Sequence, residues 1–231
     1  MGLTYSYDIR LRPENVARAL KEATKPAPPE RRVPPLTVTL PGGEQVVLPF
    51  TCGFRSEPVD CAGRDRVSLE TSLVFPADEA VRAYAEEGGL PVEDGRVQIG
   101  YVYLDMSFPA LGDPRYVCLD FWAATSRMSR LFEDSAAIGK VFTDLAEASG
   151  AVGCLFDKGD GGPERVLWGT AQFPNAQAGG PLRSFSALMN SSKAEPETVS
   201  TAWPGAFESR TDTRAGEAAT STQSLPSPGP E

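Results

Sequence analysis

Residues 97–124 read VQIGYVYLDMSFPALGDPRYVCLDFWAA, two apolar-rich runs on either side of a turn that contains Pro and Gly. The first run, Val97 to Phe108, is the longest strand candidate in the chain, and the second extends from Arg115 to Ala124. β-Branched and aromatic residues recur in both runs, and the Pro and Gly residues between them favour a chain reversal. We therefore predict an antiparallel hairpin.

The rest of the chain supplies elements that surround this hairpin. Alternation of apolar and polar residues predicts further strands, and apolar residues at helical spacing predict helices. The last helical segment contains Asp134-Ser135, where a second helix can be capped, so it is one helix or two in tandem. The predicted strands are 4–11, 36–40, 45–51, 67–75, 151–157 and 165–169, and the predicted helices are 13–24, 78–88 and 125–149. Asp78 can cap the second of these helices, and residues 52–65 are predicted to be a long, charged connection.

This order of elements favours the α+β class. A helix followed by a hairpin recurs along the chain, which predicts a mainly antiparallel sheet, in one or two sheets, backed by about three helices. The domain covers residues 1–173, and the recurrence allows two sub-lobes, 1–65 and 66–173. Residues 174–231 are rich in Ala, Ser, Thr, Pro and Gly and have too few apolar side chains to offset their chain entropy. They are predicted to form a disordered tail.

Composition excludes several classes of chemistry. The chain of 231 residues has no histidine, which removes His-based catalytic relays, His-ligated metals and imidazole pH switches. It carries 22 Lys and Arg against 31 Asp and Glu, a net charge of −9, which opposes binding to a nucleic-acid backbone or an anionic membrane surface. We therefore expect neither nucleic acid nor membrane among its partners.

The sequence predicts neither a membrane-spanning segment nor a secretory signal. No apolar run approaches the roughly 18 residues that cross a bilayer, and the first residues lack the charged and apolar regions of a secretory signal. The sequence predicts a cytoplasmic protein.

The predicted hairpin carries the sharpest cluster of polar side chains. Period-two geometry places Tyr101, Tyr103 and Asp105 on one face of the first strand. The same geometry groups Cys118, Asp120 and Trp122 on one face of the second strand. Glu70 lies in the centre of a third predicted strand, 67–75. The candidate site residues are therefore Glu70, Tyr101, Tyr103, Asp105, Asp120 and Trp122.

These residues support two functional interpretations. If the three strands are adjacent, Glu70, Asp105 and Asp120 could converge in a cleft where crowding raises one carboxyl pKa, as in a carboxylate-based enzyme that works with or without the assistance of a metal ion. Alternatively, they lie on the open polar face of a helix-backed sheet, where carboxylates among aromatic residues are ordinary. The second interpretation makes Tyr101, Tyr103, Asp105, Asp120 and Trp122 a binding face.

Cysteine spacing indicates no metal or cofactor site. The four cysteines, at 52, 61, 118 and 154, form no Cys-x-x-Cys pair and match no zinc-finger spacing. Cys118 and Cys154 fall in predicted strands, as small core residues do. The Gly-rich turn at 158–164 matches neither a phosphate-binding loop nor an EF-hand and is predicted to be a hairpin turn. We expect no cofactor and no bound metal.

An acidic domain with exposed aromatic residues and no catalytic motif is typical of a binding protein rather than an enzyme. Its richness in Ala, Gly, Pro and Arg resembles that of proteins from high-GC bacterial genes. In general character it is similar to small immunity proteins of bacterial toxin systems, whose acidic faces cap basic toxin domains. That likeness is one of charge and composition. It implies an immunity-type or accessory protein that binds a basic protein partner, with the carboxylate-based enzyme as the alternative.

Overall fold

The computed structural model describes residues 3–28, 34–110, 114–159 and 164–170. The strands are β1 (Ser6–Leu11), β2 (Leu36–Thr39), β3 (Gln45–Leu48), β4 (Val59–Asp60), β5 (Arg66–Pro76), β6 (Arg96–Ser107), β7 (Val117–Ala123), β8 (Gly153–Asp157) and β9 (Arg165–Gly169). The helices are α1 (Val16–Ala23), α2 (Glu79–Gly88), α3 (Ser126–Asp134) and α4 (Ala136–Ser149), and a short 3-10 turn, Pro13–Asn15, precedes α1.

Six strands form the main sheet, in the order β5-β6-β7-β1-β8-β9, and all neighbouring strands are antiparallel. The predicted hairpin is confirmed as β6 and β7, in which Asp105 lies opposite Asp120. The α+β class with a mainly antiparallel sheet is also confirmed. β1, from the first part of the chain, pairs on both sides with strands from 66–173. The division into sub-lobes at residue 66 stays a prediction.

The helices begin and end where the sequence provides caps. The Asp78 side chain accepts a hydrogen bond from the Val81 backbone N–H at the start of α2. Its other oxygen accepts from the Ser135 hydroxyl and the Ala137 backbone N–H, so one carboxylate joins the first turns of α2 and α4. Burial opposes ionisation of Asp78, but these donors outweigh it and lower its pKa. The predicted break in the last helical segment is confirmed, with Ser135 capping α4 through the Ile138 N–H.

An aromatic cluster joins the helices to one face of the sheet. Phe142 of α4 stacks on Tyr7 of β1 with ring centroids 4.4 Å apart, and it also contacts Phe75, Phe121 and Phe132. The Tyr7 hydroxyl donates a 2.6 Å hydrogen bond to the Phe132 carbonyl at the end of α3. Since side chains alternate along a strand, Ser6, Asp8 and Arg10 belong to the opposite face of the sheet.

A second, three-stranded sheet has the order β3-β2-β4. β2 and β3 form the predicted hairpin, whereas β4 pairs with β2 in parallel. β4 lies inside residues 52–65, which were predicted to be a connection, and that expectation was wrong at Val59 and Asp60. Two residues are too few to show an alternating pattern, so β4 is recognised only by its pairing with β2, which the sequence pattern does not predict.

Two other predictions fall outside the described residues: the disordered tail at 174–231 and most of the turn between β8 and β9. β8 and β9 themselves are paired as predicted. Within the described ranges, the helices are all too short or too polar to cross a bilayer.

Candidate functional site

The predicted site residues share the sheet face opposite the helices. Strand register places all of them except Tyr101 in two neighbouring rows across β5, β6, β7 and β1, and Tyr101 lies one row further along β6, opposite Ser72. One row runs Ser68, Asp105, Asp120 and Asp8, and the next runs Glu70, Tyr103, Trp122 and Ser6. The three strands that carry these residues, β5, β6 and β7, are therefore adjacent, as the enzyme interpretation assumed. Asp105 and Asp120 are directly opposite each other, whereas Glu70 lies one row away, opposite Tyr103.

A β-bulge in β6 determines which residues reach this face. Val97 and Ile99 are buried, but Tyr101 and Tyr103, which a strict alternation would place on the same side, are exposed. Gly100 stands between the two groups with φ of +114°, a conformation that side chains rarely allow. The bulge shifts the alternation by one residue and turns both tyrosines away from the core.

Glu70 anchors a tight turn beside the sheet. Residues 52–55 close with reciprocal backbone hydrogen bonds between Cys52 and Arg55, and Gly53 and Phe54 both have positive φ, as a type I′ turn requires. The Glu70 carboxylate accepts hydrogen bonds from the N–H groups of Gly53 and Phe54, at 3.1 and 3.0 Å, and from the Thr51 hydroxyl at 2.8 Å. Successive N–H groups in this conformation form a concave anion site, which the carboxylate fills.

The turn presents Phe54 to solvent next to the tyrosines of β6. The Phe54 side chain is 60% exposed and meets Tyr101, which is 54% exposed, edge to face with ring centroids 5.6 Å apart. Tyr103 is exposed on the same strand face, and the half-buried Trp122 lies opposite it on β7. We call Phe54, Tyr101, Tyr103 and Trp122 the aromatic patch.

The carboxylates beside the patch are recessed rather than open. Asp105 is only 7% exposed, and its carboxylate is held by the Arg66 guanidinium and the Ser68 hydroxyl. Asp120 is half-buried and accepts a hydrogen bond from the Cys118 thiol. The predicted binding face therefore divides into an exposed aromatic part and a recessed acidic part.

Asp8, which is buried, and Asp120, which is half-buried, form a carboxyl pair that the sequence pattern does not predict. They lie opposite each other on β1 and β7, and Arg10 contacts Asp8 at 3.7 Å. Burial and the adjacent Asp120 carboxylate raise the pKa of Asp8 well above its usual range, and Arg10 offsets only part of this effect. The alternation in residues 4–11 is typical of a half-buried strand, but both faces of β1 are buried, and β1 is a central strand of the sheet, between β7 and β8.

Cys118 also belongs to this cluster and not to the apolar core. It is buried on the carboxylate face, whereas Cys154 packs in the core as predicted. Ligand atoms of Asp8, Cys118 and Asp120 lie within 4.8 Å of one another, as do those of Asp8, Asp157 and Glu164. These are the donor atoms a cation would need, but Arg10 already supplies positive charge there, and burial raises the pKa of Cys118 so that its thiol keeps its proton. The expectation that no metal or cofactor binds stays a prediction.

Replacing Asp8 with Asn should change how stability depends on pH. The folded protein keeps the Asp8 proton at pH values where the unfolded chain has released it, so rising pH favours unfolding from about pH 4 up to the raised pKa. Asp8→Asn removes this contribution and should unfold with a flatter pH profile, measured by urea denaturation between pH 4 and 8. Asp144→Asn, at an exposed position on α4, is the control. If the stability of Asp8→Asn depended on pH as that of the original protein does, the raised pKa of Asp8 would be contradicted.

Comparison with known proteins identifies no family for this chain. The chain matches no protein-family model, no curated protein and no solved structure.

Proposed function

We propose that the protein is a protein-binding module that holds a basic partner against the aromatic patch. The observation that carries the proposal is the conformation of Phe54. A bulky residue with φ of +58° costs free energy, on the order of 1–3 kcal/mol, that a glycine there would not. Local strain that keeps an aromatic ring in solvent has no benefit to the core, so it favours a role in recognition.

The composition of the patch also supports binding. Tyr and Trp combine a large apolar surface with a polar group and are enriched where proteins bind one another. In the part of the chain that the structure describes, the buried Trp122 indole nitrogen has no hydrogen-bond partner. Since that nitrogen is buried, a partner would contact the exposed part of the Trp122 ring rather than its N–H group.

The net charge of −9 supports a basic partner. Opposite net charges accelerate encounter and are screened by salt, so the association should weaken as ionic strength rises. Capping of a basic toxin domain by a bacterial immunity-type protein is one form that this function could take. The cytoplasmic location expected from the sequence belongs to the same proposal, and the free thiols of all four cysteines are compatible with it.

The alternative, a carboxylate-based enzyme using Glu70, Asp105 and Asp120, has less support. The Glu70 oxygens accept three hydrogen bonds from neighbouring protein groups. Asp105 is engaged by Arg66 and Ser68. A catalytic carboxylate must exchange a proton with substrate, and these two are occupied within the protein.

A comparison of Tyr101 variants tests the proposal. Full-length protein immobilised as bait should retain a basic protein from the cells that produce it, and salt should release that protein. Tyr101→Leu should lower the affinity about tenfold or more, because truncation of a central interface aromatic commonly costs about 2 kcal/mol. Tyr101→Phe, which keeps the ring, should bind within about threefold of the original protein. The proposal would be refuted if the basic protein were retained equally at low and high salt and bound equally to Tyr101→Leu and to the original protein.

A further inference from the structure

We propose that the corner between Phe54 and Tyr101 receives an arginine side chain of the partner. This inference rests on the binding function proposed above and names the chemical group that the aromatic patch recognises. It follows from the ring geometry, from the charge of Glu70 and from the rigidity of the turn that carries Phe54.

The two rings form the walls of the corner. Their planes are 84° apart and their centroids are separated by 5.6 Å, so the edge of one ring meets the face of the other. More than half of each side chain is exposed. The face of an aromatic ring carries negative potential and attracts a cation placed over it, most often a guanidinium.

Glu70 adds a negative charge close to this corner, because its carboxylate accepts the Phe54 backbone N–H at 3.0 Å. Its side chain is 8% exposed, and its hydrogen bonds come from neutral donors, the Thr51 hydroxyl and two backbone N–H groups. Among residues 3–28, 34–110, 114–159 and 164–170, no Lys or Arg forms an ion pair with it. A buried carboxylate of this kind attracts a cation that approaches the ring faces.

The corner is already formed before a ligand arrives. Both central residues of the turn donate backbone hydrogen bonds to Glu70, and the turn is joined to β5 by backbone bonds between Thr51 and Glu70. A preformed site avoids much of the entropy loss of ordering a loop on binding.

Arginine suits the corner better than lysine. A planar guanidinium stacks on aromatic faces and sheds water more readily than an ammonium group. The protein already contains an arginine that packs on a single aromatic ring beside a carboxylate: the Arg127 guanidinium lies 4.2 Å from the centroid of the Tyr84 ring and pairs with Glu87 at 3.0 Å.

Short Gly/Ser peptides titrated into the isotope-labelled full-length protein test the proposal by nuclear magnetic resonance. One peptide carries several arginines, a second carries citrulline at the same positions, and a third carries lysine. Citrulline keeps the planar shape without the charge. We expect the arginine peptide to shift the signals of Phe54 and Tyr101 and to bind about fivefold more tightly than the citrulline peptide.

Variants of the protein make the test specific. Tyr101→Leu should weaken binding of the arginine peptide about fivefold, and so should Glu70→Gln, which removes the charge but keeps an acceptor oxygen. Tyr101→Phe, which keeps the ring, should bind within about threefold of the original protein, and Val47→Ser should leave binding unchanged, since Val47 is an exposed residue on β3 in the other sheet. If Glu70→Gln disturbs the fold, the two Tyr101 variants decide the question alone.

Equal binding of the arginine and citrulline peptides would overturn the proposal, as would full binding by Tyr101→Leu. A lysine peptide that binds as tightly as the arginine peptide would overturn the choice of arginine. A third outcome separates the two proposals. If the arginine peptide does not bind, but Tyr101→Leu still loses the basic protein partner, the arginine site is wrong and the proposed binding function stands.

Discussion

Replacing Phe142 with Ala is expected to lower the free energy of unfolding by about 3–5 kcal/mol, the usual cost of deleting a fully buried aromatic ring. Phe142 is 0% exposed and is the residue through which α4 packs on the main sheet. Its ring contacts Tyr7, Phe75, Phe121 and Phe132, which come from β1, β5, β7 and α3. The cavity left by Ala would remove contacts from four elements at once.

Urea denaturation of the full-length protein, followed by circular dichroism, measures this effect. Lys140→Ala, on the exposed side of the same helix, is the control and should change stability by no more than about 0.5 kcal/mol. A loss below about 1 kcal/mol in Phe142→Ala would mean that α4 does not join the helices to the sheet.

Replacing Glu70 with Ala has the second largest expected effect, a loss of about 3 kcal/mol. The change leaves the Thr51 hydroxyl and the N–H groups of Gly53 and Phe54 without their acceptor, and each buried donor that loses a charged partner costs about 1–3 kcal/mol. The total is smaller than the sum of three such losses because the turn can open and expose its donors to water. The left-handed conformations of Gly53 and Phe54 should relax as it does so.

Hydrogen exchange of residues 51–55, measured beside urea denaturation, separates a local from a global effect. Glu70→Gln keeps one carbonyl oxygen and should lose less than half as much stability as Glu70→Ala. Slow exchange at Gly53 and Phe54 in Glu70→Ala would show that the carboxylate does not hold the turn.

The sequence predicts those parts of the fold that depend on local patterns. The β6–β7 hairpin follows from two apolar runs around a Pro- and Gly-containing turn, and the Asp78 and Ser135 caps follow from short polar side chains before apolar helices. Tyr101, Tyr103 and Asp105 could be grouped on one face because period-two geometry applies within one strand.

Contacts between distant segments explain what the sequence does not predict. Asp8 meets Asp120 only because β1 enters the sheet beside β7, and no pattern within 4–11 specifies that neighbour. The bulge at Gly100 was also missed, since an isolated glycine in a strand indicates a bulge only weakly. Phe54 follows a glycine in a segment predicted to be a connection, and its role depends on Glu70, which is 16 residues away in the chain.

These features connect the fold to the proposed function. The main sheet is stabilised from one side by the aromatic cluster around Phe142, which leaves the opposite face to carry polar and aromatic groups. On that face, the Gly100 bulge exposes the tyrosines and Glu70 fixes the turn that presents Phe54. The recessed row of Asp105, Asp120 and Asp8 lies next to the patch in the strand register.

Site-specific photo-crosslinking tests the central claim most directly. A photoreactive phenylalanine analogue is placed at position 103, within the aromatic patch, and separately at position 47, an exposed position on β3. We predict that position 103 crosslinks one basic protein in the cells that produce this chain, that high salt during irradiation of the lysate reduces the product, and that position 47 yields none of it. Crosslinking of the same partner from position 47 but not from position 103 would contradict the claim that the aromatic patch is the binding surface.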